Sequence, residues 1–330
     1  MDLFQQFVAT PCATSTSSFA AISLSKQRND FLAKGEDGAP VFLLHDASAA
    51  QYSPGVQYKH LTAQFHVSCN VHTDGADVQD QFALVACDGS VPDLHEIFIR
   101  CFGAAIEELP LVCGTRELNF CIQKLLDLFR VLAQPTGREV SGLWSELYVI
   151  ASSGDIPRAL AVWHDDPTDR FDFSWAQGCV EVKSTTLPTR IHEFALEQLV
   201  TPENGVGYVV SLLLQYLSGG IGVLDLANSI DAEVQDSAQL KQKFWMNVAK
   251  ALGSDFSDKL DKRFDPSYAS RNLIIYAMDD VPRPEVPSDP RVTSVRFSVD
   301  LATAASSLKK SSSALYKIFN DLTENATHKI

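Results

Sequence analysis

The stretch from Arg170 to Thr185 constrains this chain more than any other. In RFDFSW, residues 170–175, alternation places Phe171, Phe173 and Trp175 on one face of a strand and Arg170, Asp172 and Ser174 on the other. In VEVKST, residues 180–185, Val180 and Val182 share one face while Glu181, Lys183 and Thr185 share the opposite one. Only Ala176 to Cys179, or part of it, separates the two runs, so the expected connection is an antiparallel hairpin. Matching the apolar faces requires Asp172 to oppose an odd-numbered residue. A two-residue turn at Ala176-Gln177 puts it opposite Glu181; a four-residue loop puts it opposite Lys183.

In either register Asp172, Glu181 and Lys183 form one cluster, with opposed Cβ atoms roughly 5 Å apart. Two carboxylates held that close repel unless a proton or a cation lies between them. A hard divalent ion such as Mg²⁺, with Mn²⁺ as substitute, suits the pair and leaves positions for water and a substrate phosphate. Lys183 is placed to steady developing charge or to position an attacking water. Glu146 joins this set from a different element. Leu143, Glu146, Leu147 and Ile150 follow helical spacing, and Glu146 is the only charged residue between Gly142 and Gly154. A carboxylate on an apolar stripe needs a partner or a metal; Arg158 and Arg170 are alternative partners.

The surrounding pattern is mixed α and β. From Ala39 to about Cys87, short apolar runs (VFLLH, AQFHVSC, FALVAC) alternate with turn-rich segments, which predicts strands. Helices are expected from Pro92-Asp93 to about Leu109 and from Thr115 to Pro135, the second with Leu118, Cys121, Ile122, Leu125 and Phe129 on one stripe. After a PTGRE turn and the helix SGLWSELYVIAS, strands are expected at LAVWH, RFDFSW, CVEVKST, HEFAL and GYVVSLLL. A helix with Leu240, Phe244, Val248 and Leu252 on one face should stop at Gly253, before strands NLIIYAM and VTSVRFSVD and a closing helix. TSTSS, residues 14–18, reads as a mobile leader. The predicted organisation is a β-rich and helical segment over 1–112, a core over 113–230 and an α/β extension over 231–330.

Charge sets a second constraint. Lys and Arg number 27 against 41 Asp and Glu, a net charge of −14, and between Ser141 and Val200 acidic residues exceed basic ones by five. A free-standing DNA binder usually carries a basic footprint, because phosphate neutralisation supplies most non-specific affinity. Delivery by an ATPase or helicase-like partner would relieve that difficulty. Seven cysteines with apolar neighbours and no CxxC pair read as reduced core thiols. No run of 18 apolar residues or basic N-terminal region is present, so a soluble, cytoplasmic protein without membrane contact is expected. Walker, GxGxxG and GxSxG motifs are missing, which leaves NTPase, dinucleotide and serine-hydrolase readings without support.

Asp172, eight residues, then Glu181-Val182-Lys183, preceded by a helix bearing Glu146, resembles the PD-(D/E)XK nuclease superfamily. The phrasing GLWSELYVI…FDF…VEVKSTT…RIHEFALEQL is similar to a group of PD-(D/E)XK motif proteins encoded beside bacterial restriction and phage-defence genes. The resemblance implies a restriction-endonuclease-like α/β fold, α+β overall, whose mixed β-sheet core is flanked by helices. It also implies Mg²⁺-dependent cleavage of DNA phosphodiesters. Carried over, Asp172 and Glu181 would hold the metal, with Glu146 as a further helix-borne acid, and Lys183 would be catalytic. Phe171 stands where the family has its proline. Arg190 and His192, just past the ExK strand, are candidate phosphate contacts or ordinary loop charges. Gln198 either meets substrate from the start of a helix or caps it. His164-Asp165-Asp166 reads as a solvated turn around Pro167. A homodimer would supply two sites for double-strand cleavage. The alternatives are a catalytically silent scaffold subunit and an RNA-directed nuclease.

Overall fold

The computed structural model describes residues 2–49, 53–132, 139–166, 169–234, 237–286, 289, 291–304 and 312–320. The chain divides into two compact units: Met1–Thr136 with Lys241–Ser254, and Gly137–Leu240 with Asp255–Ile330.

The first unit begins with α1 (Leu3–Ala9), whose Asp2 side chain accepts from the Gln5 N–H as an N-cap. Six strands follow: β1 (Ser18–Ser23), β2 (Phe31–Lys34), β3 (Pro40–His45), β4 (Val56–Tyr58), β5 (Leu61–His72) and β6 (Asp77–Cys87). Their order is β1-β2-β3-β6-β5-β4, and β1 pairs in parallel with the far end of β5, so β1, β2, β3, β6 and β5 close on one another. Closure removes the exposed edges that a five-stranded sheet would otherwise present. Phe19, Phe31, Leu43, Val71 and Phe82 fill one side. On the other, Phe42 meets Phe98 and Phe102 of α2 (Asp93–Glu107), and α3 (Thr115–Leu132) adds Phe129 to the same aromatic group. Both helices start where the sequence indicates. The Pro135 stop and most of the PTGRE turn lie outside the described residues.

The second unit opens with α4 (Val140–Ala151) and α5 (Ile156–Val162), then β7 (Phe173–Trp175), β8 (Gly178–Thr185), β9 (Ile191–Ala195), β10 (Val206–Leu213), β11 (Tyr216–Ile221) and α6 (Val223–Glu233). The body of α7 (Ala238–Leu252) counts with the first unit, and Gly253, at φ +64°, ends it in the left-handed conformation expected of a helix stop. The chain then returns to the second unit through α8 (Phe256–Leu260), α9 (Pro266–Arg271), β12 (Ile274–Ala277), β13 (Arg296–Asp300) and α10 (Ser312–Asn320). A four-stranded sheet in the order β12-β10-β8-β7 forms its centre, with β8 and β10 parallel and the outer pairs antiparallel. β9 and β13 pair apart from it.

Two expectations need correction. LAVWH forms no strand: its first half is helix α5, because Asp155 caps the Arg158 N–H and Pro157 suits the first helical turn. Strand pairing in RFDFSW covers only Phe173 to Trp175, with Asp172 one residue outside the ladder. TSTSS runs directly into β1.

Candidate active site

The hairpin uses the shorter of the two registers. Phe173 pairs with Val180, Ser174 with Cys179 and Trp175 with Gly178, leaving Ala176-Gln177 as the turn and Asp172 at the level of Glu181. A Cβ on Gly178 would sit 2.4 Å from the Trp175 ring, so this corner depends on glycine. The Asp172 carboxylate accepts the Val182 N–H at 2.6 Å, which fixes it against β8.

Glu181 is 3% exposed, in the middle of a sheet strand. Its Oε1 lies 2.8 Å from Lys183 Nζ and accepts from Gln198 Nε2 at 2.6 Å. Its Oε2 is buried with no hydrogen-bond partner. Burial therefore raises the Glu181 carboxyl to about 7, against the opposing pull of Lys183 and with a further push from Glu146. Asp172 is raised in the same direction, first by burial and then by Glu181 and Glu146. Lys183 Nζ lies over the Phe194 ring, 5.2 Å from its centroid, a cation–π contact.

Glu146 reaches this group from α4. Its Oε2 accepts from Trp163 Nε1 at 2.8 Å and contacts His164 Nε2 at 3.0 Å. His164 is accordingly buried and belongs to the site's support, while Asp165 and Asp166 form the expected turn by donating their N–H groups to Asp169. Pro167 lies outside the described residues. Arg158 is taken by Asp155, and Arg170 by backbone carbonyls, so neither arginine is the partner of Glu146.

Gln198 sits in a short 3₁₀ turn, Leu196–Leu199. Its carbonyl oxygen accepts the Ala195 N–H at 3.0 Å and Lys183 Nζ at 3.3 Å, which turns its amide nitrogen toward Glu181. Arg170 holds the same turn by donating to the carbonyls of Glu197 at 2.6 Å and Val200 at 2.5 Å. The segment carrying Asp172 and the turn carrying Gln198 are thus bracketed together. Arg170 was legible only as a charge on the Asp172 face; its role depends on carbonyls that no sequence motif announces.

The structure turns Arg190 and His192 inward. Arg190 donates to Ser211 O at 3.0 Å and to Ser211 Oγ at 2.8 Å, and also to Asn272 O. His192 Nε2 meets the same Ser211 hydroxyl at 2.8 Å, and burial together with Lys183 and Arg190 lowers its pKa to about 4. Both side chains are buried, holding β9 against β10 rather than facing a phosphate from a loop. Six of the seven free cysteines are buried and Cys12 is exposed.

An orphaned, buried carboxylate oxygen beside a second carboxylate is a donor set that suits a hard divalent cation. Among the described residues, no group of three or more His, Cys, Asp or Glu side chains stands at metal-ligand spacing, so the fit rests on the Asp172–Glu181 pair. No helix among the described residues is long and apolar enough to cross a membrane.

A mixed sheet that sets D-x8-E-x-K on a hairpin beside a helical glutamate defines a PD-(D/E)XK type of α/β fold. The chain belongs to that family: residues 20–302 match the family described as "Putative PD-(D/E)XK family member" (DUF4420). No curated protein and no solved structure matches the chain.

Proposed function

We propose that this protein is a Mg²⁺-dependent nuclease that hydrolyses DNA phosphodiester bonds, acting in a bacterial restriction or phage-defence system. The observation that carries the reading is the buried Oε2 of Glu181, without a partner, beside Asp172 and within one hairpin of Lys183. Asp172 and Glu181 would hold the cation, with Mn²⁺ as substitute. When bound, such an ion supplies a water of lowered pKa and charge stabilisation for the phosphate.

The chain's own residues set the rest. Gln198 and Arg170 hold the two acids and the lysine in one geometry before substrate arrives. Lys183, whose ammonium stands 2.8 Å from Glu181, would present its charge to a phosphate brought to the carboxylate pair and stabilise charge developing there. Glu146, anchored by Trp163 and His164, adds negative potential behind the pair.

A net charge of −14 supports delivery by a protein partner of the ATPase or helicase type, and a homodimer would supply two sites. The test is cleavage of plasmid and linear DNA, with RNA as a parallel substrate, in Mg²⁺ or Mn²⁺, alone and with products of neighbouring genes. Lys183→Ala should slow cleavage by roughly 100- to 1,000-fold, the scale of removing one preorganised charge donor. Equal rates for wild type and variant would contradict the proposal. A silent scaffold subunit is the second reading, favoured by the closed Lys183–Glu181–Gln198 contacts, and it predicts that Glu181→Ala leaves function intact.

A further inference from the structure

An exposed ring in the second unit is mounted on a rigid aromatic stack. Tyr216 opens β11 directly after β10 and is 52% exposed. Its ring lies on that of buried Phe264, with centroids 4.9 Å apart and planes inclined by 27°. Phe264 packs on Trp144 at 5.2 Å, and Trp144 stacks on Tyr148 at 5.1 Å and 11°. Trp144 Nε1 also donates to Ile221 O at 2.8 Å, tying the far end of β11 to α4. One side of the Tyr216 ring is therefore fixed by protein while the rest meets solvent. Ser218, two residues on and therefore on the same face of the strand, is exposed as well.

Its position relates it to the candidate site. Ser211, the ladder partner of Lys183, is five residues before Tyr216. Five extended residues span at most about 18 Å, the length of about five stacked nucleotides at 3.4 Å each. A strand with its phosphate at Lys183 has bases within that reach. Stacking, unlike phosphate neutralisation, also needs no positive charge, which suits a chain with a net charge of −14.

We propose that Tyr216 is a stacking platform for an unpaired base of the nucleic-acid strand engaged at the carboxylate site. The identity of the occupant rests on the nuclease reading, so the test measures binding and not cleavage. Full-length protein in chelator is titrated with short single-stranded DNA and RNA carrying a fluorescent base analogue, at several salt concentrations. Tyr216→Ala and Tyr216→Leu should each weaken binding by about 5- to 150-fold, the fold-change for losing one stacked base. Tyr216→Phe and Tyr216→Trp should bind within about twofold of wild type, and the slope of log K against log salt should be unchanged because no phosphate contact is lost. Wild-type affinity in the Ala and Leu variants, or no oligonucleotide binding by wild type, overturns the platform. Binding of a peptide but not of an oligonucleotide at this ring would also overturn it, in favour of a protein partner. Loss of binding only in the non-aromatic variants, with cleavage indifferent to Lys183→Ala, keeps the platform and removes the nuclease.

Discussion

Glu181 is buried where its charge has one full partner in Lys183 and an orphaned second oxygen, and the cost shows as a carboxyl raised to about 7. The sign of its effect on stability follows. Between about 4.5 and 7 the unfolded chain ionises this group while the folded chain keeps its proton, so stability falls as pH rises through that window. Asp172 acts in the same sense. His192 acts oppositely: lowered from 6.5 to about 4, it contributes stability present above 6.5 and lost as pH falls toward 4. Glu181→Gln should therefore melt higher than wild type near neutral pH in chelator, by on the order of 2 kcal/mol. It should also lose stability more steeply on acidification, since the His192 slope is then less opposed. Thermal melts across pH 4 to 8 check both; a lower melting temperature at neutral pH would contradict the assignment. The same variant should cleave nothing, a site costly to the fold but necessary to function.

The hairpin, the 3₁₀ turn and α4 are separate elements, and the site exists only because side chains tie them together. Arg170 bridges the Asp172 segment to the Gln198 turn through two carbonyls, so Arg170→Ala should weaken Mn²⁺ binding by about tenfold. Its far-ultraviolet circular dichroism should stay native, and Arg170→Lys should restore little, because one ammonium cannot span both acceptors. Unchanged Mn²⁺ affinity would make the bracket ornamental.

This scale also separates what the sequence could disclose from what it could not. Period-two alternation disclosed that Asp172, Glu181 and Lys183 share a face, but it left two registers open, and only the two-residue turn at Ala176-Gln177 sets Asp172 level with Glu181. Helical spacing disclosed the Glu146 stripe. LAVWH misled because a buried apolar run looks alike in helix and strand, although the Asp155-Ile156-Pro157 start was in plain view. Arg190 and His192 read as phosphate contacts or loop charges because their partners, Ser211 and the Asn272 carbonyl, come from 19 to 82 residues away. The His164 contact to Glu146, 18 residues distant, was hidden for the same reason.

At the scale of the whole molecule, the chain leaves its first compact unit and returns to it. Residues 241–254 lie far along the sequence yet count with residues 1–136. Within that unit Trp245 is buried, accepts from Cys101 Sγ through its carbonyl and lies under the Arg100 guanidinium at 5.7 Å. Trp245→Ala should destabilise the first unit by about 3–5 kcal/mol while Mn²⁺ affinity at the second unit holds. A fragment ending at residue 136 should show no cooperative unfolding, because it lacks Phe244, Trp245, Val248 and Leu252 of α7. Calorimetry of both proteins reads these outcomes, and a sharp native-like transition in the fragment would contradict them.

The most direct measurement is calorimetric titration of full-length wild type, Asp172→Asn and Glu181→Gln with Mn²⁺, in buffers of different ionisation enthalpy. Two raised carboxyls sharing one cation predict a saturable site in wild type that releases protons on binding and is lost in both variants. A wild-type protein with no saturable site, or variants that bind as wild type does, would contradict the account at its centre.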